Sequence, residues 1–350
     1  MITFTICSNN YLAEAITLGN SLEKNGFDPT KYFIFLVDEL SSDIDYNAGN
    51  YDIIKIIDEI VPGFIMLTQK YNIIELSTSV KPSVFKYLIS LYSNESLFVY
   101  FDPDLYFFQD AYSFIASEIE NHSILLTPHV TRPVPLNIQP FENTFLNYGI
   151  YNLGFIAIKA DDNSFKMLNW WEERTLDLGI ADVKNGYFVD QLWMNLVPGF
   201  FDGVKITNHL GFNTAYWNLN ERTVQKMNDL YYVNKNVPLV FFHFSSFDFS
   251  LLHLSKRKHT SPAVNNDVLM ELMIVYKDKL IENNYPYYKK YKPAYKLSYG
   301  NYIEREMPGT ANTKKVLVIK KLKKFVPKKL LRRLANLNHI VETLDKYNNV

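Results

Sequence analysis

The hydrophobic pattern of this chain consists of short, almost purely apolar runs separated by longer stretches in which apolar residues recur with helical spacing. The first run covers Ile2 to Cys7, and similar runs cover Tyr32 to Val37, Ile53 to Ile57 and Leu97 to Phe101. Runs of this length, rich in β-branched and aromatic residues, predict buried strands. Because helical segments alternate with them, we predict an α/β fold whose parallel sheet carries helices on both faces.

The remaining pattern predicts further elements of the same two kinds. A polar turn at 8–10 can cap a helix that begins near Tyr11, and a proline in the first turn favours a helix over Pro82 to Tyr92. We also predict a helix over Phe165 to Leu178, a helical segment over 188–193, a helix over 264–283, and strands over 123–126, 151–158, 213–219 and 239–244. Ligands of such a sheet bind beyond the carboxyl ends of its strands, so the residues that follow the strands are the candidate site.

One strand ends in an unusual way. After Leu97 to Phe101 come Asp102, Pro103 and Asp104. On an extended backbone this spacing points both carboxylates the same way, and proline cannot continue a sheet ladder. Two such carboxylates repel each other unless a cation lies between them, and Mg²⁺ or Mn²⁺ held in this way usually carries substrate phosphates. The alternative at this point is a solvated Asp-Pro-Asp turn.

Other polar residues stand at strand ends or inside apolar segments. Lys81 precedes the helix at 82–92, where a cation could reach a diphosphate, and His129 lies in a proline-punctuated loop after a strand, as binding residues often do. Asp190 lies in a strongly apolar segment, which indicates either a satisfied structural carboxylate or a site residue. His243 lies among aromatic residues and is, on this pattern alone, most simply a hydrogen-bonded core histidine.

Composition narrows the classes of protein. The 350 residues are 47% hydrophobic, which excludes disorder for most of the chain, and the net charge of −1 does not favour nucleic-acid binding. The single cysteine, Cys7, excludes a disulfide framework and fits a reducing compartment. The first residues do not form a signal peptide, and no run reaches the length of a spanning helix. Dinucleotide and phosphate-binding glycine motifs are absent. We therefore expect a cytoplasmic protein.

Taken together, several of these residues resemble a known family. Asp102-Pro103-Asp104, Asn152-Leu153-Gly154, Asp190-Gln191 and His243-Phe244 occur in this order and at similar separations in GT-A glycosyltransferases of the family-8 type, especially bacterial enzymes that build cell-surface glycans. The resemblance covers about residues 2 to 247. It implies a GT-A sheet, related to the Rossmann fold, and an enzyme that moves a sugar from a UDP-sugar to a glycan or lipid-linked saccharide, with retention of the anomeric configuration.

The resemblance also implies roles for individual residues. Asp102, Asp104 and His243 would bind Mn²⁺ or Mg²⁺, and a histidine among carboxylates favours Mn²⁺. Asp190 and Gln191 would be the catalytic pair beside the donor sugar. The substrate-binding residues would be Ser8, Asn9, Asn10, Lys81, His129, Asn152 and Gly154. This chain departs from the family in having Lys81 or Lys86 in place of an arginine, and Leu192 in place of an aspartate.

The C-terminal part differs in character from the rest. We predict a catalytic domain over 1–260 and a helical, basic extension over 261–350. Between Thr313 and Leu337 there are ten Lys or Arg residues interleaved with apolar ones. A basic amphipathic element of this kind, here 314–334, favours an anionic membrane surface on its cytoplasmic side. The alternatives are a helix packed on the domain and a nucleic-acid patch, although no nucleic acid is expected as a partner.

Two other functions remain open from the sequence. An NDP-sugar nucleotidyltransferase also uses metal-bound aspartates on a related sheet, but it usually has a glycine-rich basic loop after the first strand, and residues 8–13 contain none. A degenerate, sugar-binding scaffold at the membrane is the non-enzymatic possibility. The complete set of Asp102, Asp104 and His243 favours the enzyme.

Overall fold

A computed structural model of the protein describes residues 1–47, 50–255 and 267–295. The strands are β1 Ile2–Cys7, β2 Tyr32–Leu36, β3 Asp52–Lys55, β4 Leu97–Phe101, β5 Leu105–Phe107, β6 Ile124–Pro128, β7 Tyr151–Lys159, β8 Ala181–Asp182, β9 Tyr187–Phe188, β10 Val204–Ile206, β11 Thr214–Ala215, β12 Val224–Met227, β13 Leu230–Val233, β14 Val237–Pro238 and β15 Phe241–His243. The helices are α1 Leu12–Lys24, α2 Phe64–Lys70, α3 Ile73–Ser79, α4 Lys81–Leu91, α5 Ala111–Ile119, α6 Glu142–Tyr148, α7 Asp162–Leu178, α8 Val197–Phe200, α9 Asp267–Glu282 and α10 Tyr285–Tyr288.

The main sheet has seven strands in the order β10-β6-β7-β4-β1-β2-β3. Its central strands are buried on both faces, as β1 and β4 show by having every residue buried. On one face, Leu18 of α1 and Ile115 of α5 belong to the same hydrophobic cluster as Val99 of β4. On the other face, the ring of Phe85 in α4 lies 4.7 Å from that of Phe4 in β1. The predicted α/β architecture, with helices on both faces, is therefore confirmed.

The exception to the parallel order is β7, which runs antiparallel to both of its neighbours, β4 and β6. In this register Phe101, the last residue of β4, lies opposite Phe155 in the middle of β7. The pairing continues past the end of β4, because the backbone N–H of Asp102 donates to the carbonyl oxygen of Gly154 at 2.8 Å. The first residues of β7 and the residues that follow β4 therefore meet at one edge of the sheet.

A second, three-stranded sheet has the order β11-β15-β5. Its strand β5 follows β4 after only the three residues Asp102, Pro103 and Asp104, so the acidic turn joins the two sheets. Strand β15 runs antiparallel to β5 and places His243 opposite Leu105. The backbone N–H of Phe244 donates to the carbonyl oxygen of Asp104 at 2.9 Å, which extends this pairing to the acidic turn.

The segment 267–295 packs on the small sheet and on α1. Leu272, Met273 and Tyr276 of α9 are buried in one cluster with Phe242 and Phe244. Its end is also tied to the front of the chain, since Asn283 Nδ2 donates to Thr17 Oγ1 at 2.8 Å. These residues belong to the same compact unit as the sheet.

Three features differ from the sequence prediction. The segment 188–193, predicted to be helical, is the end of β9 followed by a 3₁₀ turn at Leu192–Leu196, because Val189 adopts a left-handed φ of 41° that no α-helix accommodates. The predicted strand over 213–219 is limited to β11, because Asn218 Oδ1 accepts the backbone N–H of Ala215 at 2.9 Å and turns the chain. The polar turn at 8–10 also provides no side-chain cap for the helix that follows.

The predicted basic element at 314–334 lies outside the described residues. In the part of the chain that is described, no helix combines the length and the apolar character that crossing a membrane requires.

Helix α9 provides a direct test of this packing. Leu272 is completely buried, so Leu272→Ala should lower the free energy of unfolding by about 2–5 kcal/mol through lost contacts and the cavity left behind. Met270 is on the same helix but 39% exposed, and Met270→Ala should change it by no more than about 0.5 kcal/mol. Urea denaturation of both variants measures the difference. Equal effects would mean that α9 is not a core element.

Candidate functional site

The acidic turn between β4 and β5 forms the centre of the site. Backbone hydrogen bonds fix it on both sides, as described above, and Leu105 N–H closes the turn on the carbonyl oxygen of Asp102 at 3.2 Å. The Asp102 carboxylate is oriented from below by the hydroxyl group of Tyr100, which donates to Oδ1 at 2.6 Å. Both carboxylates remain partly accessible, with exposed side-chain fractions of 30% for Asp102 and 20% for Asp104.

His243 completes a cluster with these two carboxylates. Its Nε2 lies 3.0 Å from Asp104 Oδ1 and 3.7 Å from Asp102 Oδ2. One ligand atom from each of the three residues lies within 4.8 Å of the others, close enough for all three to bind one ion. Two hard carboxylate oxygens and one imidazole nitrogen are a suitable donor set for Mn²⁺, and carboxylates alone would suit Mg²⁺. The three residues predicted to bind metal are therefore brought together.

Without a metal, Asp104 and His243 form an ion pair. Burial by itself raises the pKa of Asp104, but the charge of His243 and its hydrogen bond outweigh that effect and leave the pKa below its usual range. Burial alone lowers the pKa of His243. The charges of Asp104 and Asp102 and the hydrogen bond to Asp104 together raise this pKa by more than burial lowers it, so the net shift is upward. A proton on His243 would therefore offset part of the negative charge that a bound metal ion would otherwise balance.

Gly154 leaves the space in which the imidazole lies. A Cβ atom at this position would be 2.4 Å from His243 Cε1 and 2.8 Å from Asn152 Oδ1. Any other residue would therefore displace the ring or the amide. The glycine at position 154 is explained by this close approach to His243 of β15.

Lys81 links the acidic turn to Asp190. Its Nζ lies 2.9 Å from Asp190 Oδ2 and 3.7 Å from Asp102 Oδ1, and it donates to the carbonyl oxygen of Leu153 at 3.0 Å. The ring of Tyr100 is 4.3 Å from the ammonium group. Lys81 and Asp190 are both buried, at 2% and 1% exposure. Burial raises the pKa of Asp190, and the attraction of Lys81 offsets part of that shift.

The other predicted catalytic residue, Gln191, braces the start of β7. Its Oε1 accepts the backbone N–H of Leu153 at 3.1 Å, and its Nε2 donates to the carbonyl oxygen of Tyr148 at 2.7 Å. Gly149 packs so closely on it that a Cβ there would be 2.7 Å from Gln191 Cγ. Gln191 therefore lies next to Asp190 with its amide held in a defined orientation.

The residues predicted to contact the nucleotide divide into two groups. Ser8 and Asn10 line a cavity of about 230 Å³ that extends from the end of β1 to Asp102, Pro103 and Asp104. Asn9 instead points into the protein, where its Nδ2 donates to the carbonyl oxygen of Glu39 at 2.8 Å and its backbone N–H donates to Asp38 Oδ2 at 3.1 Å. Asp38, which lies at the end of β2, thus holds the rim of the cavity in place.

His129 and Asn152 are also buried, and they contact each other. His129 Nδ1 lies 3.1 Å from the carbonyl oxygen of Ile150, and its Nε2 lies 3.2 Å from Asn152 Nδ2. Both ring nitrogens of His129 are therefore engaged by protein groups. Lys86, the alternative to Lys81 as the family's basic residue, lies 2.5 Å from Glu172 of α7 and is thus directed away from the acidic turn.

Sequence reasoning missed the contribution of the segment after α9. A second cavity, of about 580 Å³, adjoins Asp104 and is lined on its far side by Glu14, Tyr285 and Lys289. Lys289 Nζ lies 2.5 Å from Glu14 Oε1 and 3.6 Å from the centre of the Tyr11 ring. Pro293 lines the smaller cavity, and Ala294 N–H donates to Asp38 Oδ1 at 2.8 Å. A stretch dense in Tyr and Lys carries no local signal of such contacts.

The chain has relatives among curated proteins, but no protein-family profile matches it. The uncharacterized protein YfnD of Bacillus subtilis (strain 168) is 26% identical over 175 residues, which are 49% of this chain and 54% of YfnD. The uncharacterized protein YfnF of the same strain is 23% identical over 275 residues, which are 77% of this chain and 88% of YfnF. The chain thus aligns with about half the length of YfnD and most of the length of YfnF.

Solved structures of glycosyltransferases resemble the chain. The galactosyltransferase LgtC, in complex with donor and acceptor sugar analogues, has 14% identity and a TM-score of 0.43, covering 79% of this chain and 95% of LgtC. GlyE of Streptococcus pneumoniae TIGR4 has the same identity and TM-score, covering 85% of this chain and 65% of GlyE. These neighbours are glycosyltransferases, as the sequence resemblance predicts, and they do not place the chain in family 8.

Gly154 offers a test of the metal cluster. In Gly154→Ala the new methyl group would overlap the imidazole of His243, so the affinity for Mn²⁺ should fall by about 10-fold or more while the protein stays folded. Gly199 has no atom within 4 Å of an added Cβ, and Gly199→Ala is the matched control. Titration of Mn²⁺ followed by electron paramagnetic resonance measures both affinities. Unchanged affinity in Gly154→Ala would contradict the assignment of His243 as a ligand.

Proposed function

We propose that this chain is a metal-dependent glycosyltransferase that transfers a sugar, with retention, from a UDP-sugar to a glycan or lipid-linked saccharide. The observation that carries the proposal is the position of the Asp102, Asp104 and His243 cluster. It lies at the carboxyl end of a central strand and adjoins the cavity lined by Ser8 and Asn10. In an open α/β sheet this edge is where nucleotides bind.

The residues fit a bound divalent cation. Asp102, Asp104 and His243 would hold it, and we favour Mn²⁺ over Mg²⁺ because one donor is an imidazole. When bound, the ion would stabilise the negative charge that develops on the diphosphate of the departing UDP. Ser8 and Asn10, which line the cavity, would contact the nucleoside, and the backbone of Asn9 between them is held by Asp38.

In this proposal Asp190 acts on the donor sugar. Lys81 connects it to Asp102, so its position is tied to that of the metal cluster. The same ammonium lowers the pKa of Asp190 and so offsets part of the upward shift that burial causes. An ionised carboxylate in this position can hold a sugar hydroxyl group or stabilise positive charge near the anomeric carbon. Attack by a protein nucleophile and attack on the same face as the leaving group both remain compatible with retention.

The metal assignment is tested with Asp104→Asn. In the wild-type protein Mn²⁺ with UDP should raise the melting temperature, because ligands that bind only the folded state stabilise it. Asp104→Asn should abolish this shift while the apo protein remains folded, since the amide cannot supply the same negative charge. Asp202 is exposed, and Asp202→Asn serves as the control that keeps the shift. A full shift in Asp104→Asn would rule out the metal site.

The role of Asp190 is tested by kinetics. Asp190→Asn should lower turnover by about 100-fold or more and leave the affinity for UDP nearly unchanged, because it acts on the sugar and its transition state. Asp182→Asn, a half-buried carboxylate of β8, is the control. A screen of nucleotide sugars for metal-dependent hydrolysis supplies the donor for the assay. If Asp190→Asn instead loses UDP affinity as strongly as turnover, Asp190 is a structural carboxylate.

A further inference from the structure

The imidazole of His243 is the end of a buried chain of hydrogen bonds that runs behind the metal cluster. His243 Nδ1 lies 3.0 Å from Asn213 Oδ1, and Asn213 Nδ2 lies 2.8 Å from Asn152 Oδ1. Asn152 Nδ2 lies 3.2 Å from His129 Nε2, and His129 Nδ1 lies 3.1 Å from the carbonyl oxygen of Ile150. The four side chains that form these hydrogen bonds are all buried, and that of Asn213 is completely buried.

Two backbone groups determine which partner donates in each of these hydrogen bonds. The carbonyl oxygen of Ile150 can only accept, so His129 carries a proton on Nδ1. The backbone N–H of Gly154 can only donate, and it points at Asn152 Oδ1 at 3.1 Å. The orientation of the Asn152 amide is thereby set, with its Nδ2 directed at His129 and its Oδ1 open to a donor.

The orientation of the Asn152 amide also determines those of the Asn213 amide and the His243 ring. Asn152 Oδ1 requires a donor from Asn213, so the Nδ2 of Asn213 faces it and the Oδ1 faces His243. An amide oxygen only accepts, and therefore Nδ1 of His243 must carry a proton. The neutral ring then has its lone pair on Nε2, the nitrogen that lies 3.0 Å from Asp104.

We propose that Asn213 is a positioning residue that holds His243 in the Nδ1–H tautomer and so presents Nε2 as a metal ligand. The inference rests on the metal site of the proposed function and adds a residue that does not itself touch metal or substrate. Asn152 and His129 orient Asn213 from the side away from the metal site. Outer partners of metal-binding histidines act in this way by fixing the tautomer and the ring orientation.

The residues around Asn213 fix its backbone and the two histidine rings in position. Its backbone has a left-handed φ of 53°, which asparagine tolerates better than most residues. Asn218 Nδ2 donates to the carbonyl oxygens of both Asn213, at 3.0 Å, and His129, at 3.1 Å, and so links two members of the hydrogen-bond chain through their backbones. Trp217 packs between the two imidazoles, with ring centres 5.1 Å from His243 and 5.4 Å from His129.

The test is Asn213→Gly in the full chain, because glycine accepts the left-handed backbone while removing the amide. We expect the affinity for Mn²⁺ to fall by about 10- to 100-fold. Asn228, an exposed asparagine with a φ of 49° in the turn between β12 and β13, provides the matched control Asn228→Gly, which should bind Mn²⁺ like the wild type. Electron paramagnetic resonance of free Mn²⁺ measures all three proteins.

A second measurement reads the tautomer directly and needs no metal. In ¹⁵N-labelled wild-type protein at alkaline pH, where the imidazole is neutral, His243 should show its proton on Nδ1; its signals are assigned by their loss in His243→Gln. In Asn213→Gly the proton should shift towards Nε2. A neutral His243 protonated on Nε2 in the wild type overturns the inference, even if Asn213→Gly fails to fold. Wild-type Mn²⁺ affinity in Asn213→Gly also overturns it, whereas a wild type that binds no Mn²⁺ contradicts the proposed function instead.

Discussion

Carboxylates at the end of a buried strand are stable only if positive charge lies beside them, and the site is arranged around this requirement. Lys81 provides one charge and serves two acids, Asp102 and Asp190. His243 provides another for Asp104. Each cation reaches its place from a separate element, Lys81 from the start of α4 and His243 from the end of β15. The helices and strands that surround the acidic turn can therefore be understood as supports for these two positive groups.

The reversed direction of β7 makes this arrangement possible. In a fully parallel sheet the residues that follow β4 would meet only the ends of neighbouring strands, and the starts of those strands would lie at the opposite edge. Because β7 is antiparallel, its first residues meet Asp102 directly, and Leu153 supplies a carbonyl oxygen to Lys81. Gly154 then allows β15 to approach closely enough for His243 to face both acids. One change of strand direction thus brings residues from three distant segments to the acidic turn.

Much of the fold could be predicted from local sequence, whereas the link between the acidic pair and His243 came from the family resemblance. Runs such as Leu97 to Phe101 have the length and the β-branched and aromatic content of buried strands, and Asp102 and Asp104 are spaced to act together. What the sequence could not reveal depends on long-range contacts. Val189 ends a segment that is apolar enough for a helix, because its backbone is held in a left-handed conformation. Lys289 reaches the cavity beside Asp104 through the packing of α9 and α10, which no local pattern encodes. Asn213 lies in a segment predicted to be a strand, and nothing in that prediction indicated a role for its side chain. Its role follows only from its hydrogen bonds to Asn152 and His243.

The charges of the cluster also bear on what the site would bind under the proposed function. Asp102, Asp104 and Asp190 bring three negative charges, and Lys81 balances one of them. A proton on His243 balances a second and leaves the cluster negative. A divalent cation balances both remaining charges and needs the neutral form of His243, which is the form that Asn213 can orient. Exchange of the proton for a divalent ion therefore removes the residual charge without moving any of the three ligands far. This charge balance favours a divalent cation at the cluster, and a third cationic side chain in contact with the acids would weaken that preference.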